Sequence, residues 1–187
     1  DGIAAADVAR ENIFLATKVW ISKLSAENVL RSTETSLSRL GTDYLDLLYI
    51  HWPAGEYDPE GTLSAFDELY DEGLIRNVGV SNFEPEHVDQ ARDILNAPVF
   101  ANQVEIHPFL QQERLREYAA ETDLNLVAYS PLARGDVIGD ETLGAIAEKH
   151  DASEPQVALA WLRELGITAI PKATSEDHIR DNWESLS

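Results

Sequence analysis

The chain has 187 residues, 34 of them acidic and 14 basic, for a formal net charge of −20, and 44 % of it is apolar. The apolar content predicts a folded domain with a sizeable core and excludes a disordered tail. A disulfide scaffold is excluded because there is no cysteine, and no apolar run approaches the roughly 18 residues of a membrane span.

The charge also bears on partners and setting. A strongly acidic chain repels phosphate, so non-specific binding to DNA, RNA or anionic lipid is not expected, and neither is a membrane partner. Acidity spread along a folded chain favours solubility in concentrated salt, where screening removes self-repulsion. The expected setting is a halophilic cytoplasm with an acidic proteome. Because the chain starts at Asp1 and residues 1–10 read as the tail of an earlier segment, an internal fragment is expected.

Six short apolar or β-branched runs recur along the chain: Ile13 to Trp20, Tyr44 to His51, Ile75 to Ser81, Phe100 to Glu105, Leu126 to Tyr129 and Ile167 to Pro171. Amphipathic stretches separate them, the pattern of parallel strands with crossover helices. Ser25 stands where it could cap a helix with Val29, Leu30, Thr33, Leu37 and Leu40 on one face, and Gly41 can end it. Leu63, Phe66, Leu69 and Tyr70 precede Gly73 in the same way. Val88, Ala91, Ile94 and Leu95 follow Pro85, and Ser153 with Pro155 opens a helix closed by Gly166.

Strand ends at Lys18, His51, Ser81, Gln103, Tyr129 and Lys172 recur at roughly the 30-residue interval of a βαβ unit. Scaled to eight units, the chain would reach about 250 residues, the usual size of a (β/α)8 barrel. We therefore expect an α/β fold, a TIM barrel lacking its first two strands and its C-terminal end, with residues 1–187 as one partial domain. An open doubly wound sheet is the competing architecture, but no Gly-x-Gly-x-x-Gly turn follows any run.

In a barrel, chemistry collects where strands stop. Lys18, His51, Ser81, Asn82, Asn102, Gln103, Tyr129 and Ser130 interrupt their runs there. Lysine is used at only four positions, Lys18, Lys23, Lys149 and Lys172, and two of these occupy strand ends. A partly desolvated Lys18 could favour the ionised form of a neighbouring tyrosine; equally, it could pair with a carboxylate for stability. His51, ahead of Trp52 and Pro53, is either a structural histidine or a neutral donor to a carbonyl. Glu105 and His107 share strand parity, yet no metal-binding motif appears and no metal is expected. Ser130 lacks the Gly-x-Ser-x-Gly elbow of a nucleophile.

Seven segments, taken together, resemble the aldo-keto reductase superfamily, in particular prokaryotic members related to diketo-gluconate reductases. They are Thr-Lys-Val-Trp (17–20), Thr-Asp-Tyr-Leu-Asp-Leu (42–47), Ile-His-Trp-Pro (50–53), Gly-Val-Ser-Asn-Phe (79–83), Asn-Gln-Val-Glu (102–105), Ala-Tyr-Ser-Pro-Leu (128–132) and Ile-Pro-Lys (170–172). The resemblance implies hydride transfer from NADPH, or NADH, to a small aldehyde, ketone or keto-sugar, with a catalytic tetrad of Asp, Tyr, Lys and His. Lys18 matches the lysine and His51 the histidine. The aspartate and tyrosine positions fall upstream of Asp1, so the polypeptide as given is expected to turn over little. Asp43 and Tyr44 do not match them.

By the same resemblance, Ser81, Asn82 and Gln103 would bind the nicotinamide carboxamide, and Tyr129 would stack on the ring. Ser130 and Leu132 would lie at the pyrophosphate, Lys172 and Thr174 at the 2′-phosphate, and Asp181 and Asn182 at the adenine. Ala173 replaces a usual serine and His178 a usual arginine, which weakens the case for NADPH over NADH. Trp20 and Trp52 resemble substrate-pocket walls, the alternative being core packing. A cytoplasmic monomer is expected. The rival function is a non-catalytic, nicotinamide-binding regulatory protein of the same fold.

Overall fold

A computed structural model describes every residue except Asp1, Ala6 and Ser187, together with all side chains but those of Ile3 and Ala4. Of the opening stretch 1–10, Asp1 and Ala6 thus lie outside the described residues. Two compact units, 1–100 and 101–187, are taken in turn.

After a helical turn, α1 (Gly2–Ala5), the first unit carries three parallel strands, β1 (Ala16–Val19), β2 (Leu47–Ile50) and β3 (Val78–Ser81). Lys18 pairs with Tyr49 and Tyr49 with Gly79, so these three residues form one row across the sheet. All four residues of β2 and all four of β3 are buried, as continuous apolar runs in a parallel sheet should be. Strand β1 begins three residues later than its apolar run. The Leu15 amide donates to the Asp46 carboxylate at 2.9 Å instead of joining a ladder.

That carboxylate organises the start of β2. Arg10 meets it at 2.8 Å and Arg76 at 3.2 Å. The two guanidiniums also lie over the Tyr44 ring, 4.1 and 3.9 Å from its centroid. Burial alone would raise the Asp46 pKa; the Leu15 N–H and the charges of Arg10 and Arg76 outweigh it, and the net shift is downward.

Helices α2 (Ala26–Leu40), α3 (Pro59–Asp71) and α4 (Pro85–Ile94) connect the strands. Val29, Thr33 and Leu37 bury one face of α2, and the Thr33 hydroxyl is satisfied by the Val29 carbonyl at 2.9 Å. Gly41 ends α2 in the left-handed conformation with φ 66°, as expected, but Ser25 occupies the N-cap position without a side-chain bond. Helix α3 is capped by Asp58, whose carboxylate accepts from the Gly61 amide at 2.9 Å.

In the second unit β4 (Val99–Glu105, begun at the end of the first unit), β5 (Asn125–Tyr129) and β6 (Thr168–Ala169) are again parallel. The last run is the most shortened. Pro171 has no N–H, so the pairing ends with the Ile170 amide bonding the Ala128 carbonyl at 3.1 Å. Helix α7 (Glu154–Glu164) opens on the expected Ser153, which forms a reciprocal capping box with Gln156. The Ser153 hydroxyl also donates to Asp181, at 2.9 Å.

Three further helices, α5 (Glu113–Thr122), α6 (Glu141–His150) and α8 (Glu176–Glu184), lack the glycine that follows α2, α3 and α7. Helices α5 and α6 end on Asp123 and Asp151 in the left-handed region, which aspartate tolerates. Helix α8 buries no residue, so it leaves little apolar signal.

Candidate active site

The first unit places four expected site residues at the ends of its strands. Lys18 is half-buried, its ammonium 5.7 Å from the centroid of the Tyr49 ring. Tyr49 can lie there because its neighbour in the row is Gly79; a Cβ at that position would stand 2.5 Å from the ring. Burial lowers the Lys18 pKa.

His51 continues the ladder by one bond, its amide donating to the Val19 carbonyl at 3.2 Å. Its imidazole meets the Trp20 indole edge-on, ring centroids 4.7 Å apart. Burial, and then the charge of Lys18, push its pKa below the ordinary value, so the ring is neutral near pH 7 and offers one N–H donor. Ser81 is fully buried. Asn82, at φ 60°, turns the chain so that its amide donates to the His51 carbonyl and to the Ser81 hydroxyl, both at 3.1 Å. Trp20 is 56 % exposed and Trp52 43 %, which removes the core-packing alternative for both.

In the second unit Gln103 is buried and Tyr129 half-buried. Glu105 pairs with Tyr129 in the β4–β5 register, and Gln103 lies two residues back on the same face. Burial first, then Glu105, raises the Tyr129 pKa, with Arg134 opposing. Beyond Tyr129 a cavity of about 420 Å³ is lined by Ser130 and Leu132, expected at the pyrophosphate, by Lys172, expected at the 2′-phosphate, and by Arg134. Among the described residues no acidic side chain lines it, although the Glu105 carboxylate lies 3.4 Å from Arg134.

The remaining expected residues are more scattered. Asn182 lines a neighbouring cavity of about 720 Å³ with Ala173, and Asp181 is bonded to Ser153. Thr174 and His178 are exposed and border neither cavity. Glu105 and His107 do approach each other, at 3.6 Å, but no group of three metal-capable side chains occurs among the described residues. Sequence reasoning missed two groups, Tyr49 and Arg134. Tyr49 was hidden inside an apolar run; Arg134 lies in a loop whose course only the fold reveals.

The Aldo/keto reductase family model matches residues 2–187, and the chain belongs to that family. It is 42 % identical over 181 residues to the glyoxal reductase of Bacillus subtilis (strain 168), covering 97 % of this chain and 65 % of that one. A crystal structure of a candidate 2,5-diketo-D-gluconic acid reductase B superposes with a TM-score of 0.95 at 31 % identity, covering 98 % of this chain and 66 % of that one. An aldo-keto reductase of Bombyx mori, solved in complex with NADP, matches with a TM-score of 0.89 at 30 % identity, covering 99 % of this chain and 66 % of that one. The chain thus spans just under two-thirds of the length of each of these relatives, and its α/β fold matches that of the family's barrels. No helix among the described residues is long and apolar enough to cross a membrane.

Proposed function

We propose that the protein acts as an NAD(P)H-dependent reductase of small carbonyl compounds, with α-dicarbonyls such as glyoxal and keto-sugar acids as the first candidates. The observation that carries this reading is the His51 imidazole, set at a strand end edge-on to Trp20, where burial and then the charge of Lys18 lower its pKa. A neutral imidazole keeps one N–H, which can donate to a carbonyl oxygen. Lys18 adds positive charge where negative charge develops, and favours ionisation of a phenol brought beside it. Trp20 and Trp52 offer exposed aromatic faces to the substrate.

The residues present fit a dinucleotide. A cavity lined by Arg134 and Lys172 suits phosphate, and Ser130 contributes a hydroxyl to it. Ser81, Asn82 and Gln103 are proposed to hold the carboxamide, and Tyr129 to stack on the nicotinamide, which when bound supplies the hydride. Lys172 with Thr174 favours NADPH, while His178 in place of an arginine leaves NADH open; Asn182 is proposed for the adenine. The family's eight-stranded barrel, incomplete in this chain and forming one domain over 1–187, is part of the same reading. So are a monomeric state and a salt-rich cytoplasm, for which the net charge of −20 is the support.

The test is tryptophan-fluorescence titration of the full-length gene product with NADPH and NADH, alongside glyoxal reduction. Binding with turnover supports the proposal. Binding without turnover supports the regulatory alternative, and no binding defeats both.

A further inference from the structure

The loop after β5 carries an ion pair that the carbonyl chemistry does not use. Arg134 reaches the Glu105 carboxylate at 3.4 Å, while the other oxygen of Glu105 lies 3.6 Å from Nε2 of the buried His107. Glu105 is therefore approached from two sides, one of them within the fold. Arg134 is 76 % exposed and sits in a strained turn: Ser130, Ala133 and Arg134 all have positive φ, at 47°, 47° and 57°. Non-glycine residues rarely adopt that region, and such strain gathers at ligand clamps. Arg134 also borders the cavity that holds Lys172.

We propose that Glu105 is a positioning residue that parks the Arg134 guanidinium at the rim of this cavity until a phosphate-bearing ligand takes it over. The inference rests on the dinucleotide reading above and adds a regulation to it. An ion pair whose guanidinium is largely exposed, at 3.4 Å, is weak, whereas that guanidinium can grip phosphate through two charge-assisted hydrogen bonds. The exchange therefore runs towards the ligand. Glu105 keeps His107 Nε2 at 3.6 Å when Arg134 departs. Arg134 then adds its charge to that of Lys172, in a chain whose net charge otherwise repels phosphate.

The experiment is a double-mutant cycle on the full-length gene product, read by calorimetric titration with inorganic pyrophosphate and, separately, with NADPH. Glu105→Gln removes the competitor and is expected to tighten pyrophosphate binding about two- to fivefold. Arg134→Gln is expected to loosen it about tenfold. In the Arg134→Gln background, Glu105→Gln should change affinity less than about twofold. Glu105→Asp, too short to hold the pair, should behave like Glu105→Gln, and circular dichroism checks that each variant is folded. The proposal is overturned if Glu105→Gln fails to tighten binding, if it tightens binding equally in both backgrounds, or if pyrophosphate does not bind. Coupling seen with pyrophosphate but no binding of NADPH would sustain the latch and defeat the cofactor reading; NADPH binding without coupling would defeat the latch alone.

Discussion

The Trp20 indole stands edge-on to the His51 imidazole, ring centroids 4.7 Å apart and planes at 85°. The last pair of the β1–β2 ladder, Val19 with Ile50, sets this relationship by making residues 20 and 51 the next row. An edge-on contact fixes the plane of the imidazole from one side while leaving its N–H free to point elsewhere. Lys18, two rows back, supplies the charge that His51 feels.

The first prediction concerns His51 and pH. Its pKa is lowered in the folded state, so near pH 6 the unfolded chain binds more protons than the folded one, and stability rises with pH there. The contribution is present above about 6.5, the ordinary histidine value, and is lost as pH falls towards the folded pKa. NMR titration of the His51 ring protons should give a midpoint below the ordinary value, and Lys18→Met should move it upward. A midpoint unmoved by Lys18→Met would remove Lys18 from the ring's electrostatic surroundings.

Gly79 tests the row that supports Lys18. In Gly79→Ala the new Cβ would stand 2.5 Å from the buried Tyr49 ring, so the ring must shift. We expect a loss of about 1–3 kcal/mol in urea denaturation, the usual range for overpacking. Tyr49→Leu in the same chain should recover part of it.

How much of this was legible in the sequence differs from residue to residue. Gly41, Pro85 and Ser153 announced their helix boundaries because each carries a local signal, a free φ, a fixed φ or a short acceptor side chain. Lys18 and His51 were legible as polar stops on apolar runs. The support beneath them was not: Tyr49 and Gly79 come together only through strand register, which no local pattern encodes. For the same reason Arg134 was missed, since a loop cation reveals its neighbours only once Glu105 has been placed beside it. Helix α8 went unseen because it buries nothing.

Asp46 should make the fold acid-sensitive. Its pKa is held below the ordinary carboxylate value, so its contribution is present above about pH 4 and is lost as pH falls through the folded pKa. Asp46→Asn is expected to cost about 2 kcal/mol at pH 7, less than a fully buried pair because Arg76 is half exposed, and to flatten stability below pH 4. Urea denaturation at pH 7 and at pH 3.5 measures both effects.

Salt should stabilise the chain. With a net charge of −20, self-repulsion acts over about 10 Å at 0.1 M ionic strength and about 3 Å at 1 M. The urea midpoint should therefore rise steadily between these concentrations of KCl. A midpoint independent of KCl would remove the support for a salt-rich setting.

The most direct measurement compares glyoxal reduction by the full-length gene product with that of its His51→Gln variant, NADPH affinity being followed in parallel. The account predicts that kcat falls by about a hundredfold or more while the cofactor dissociation constant stays within about twofold. Turnover undiminished by loss of the imidazole would contradict it.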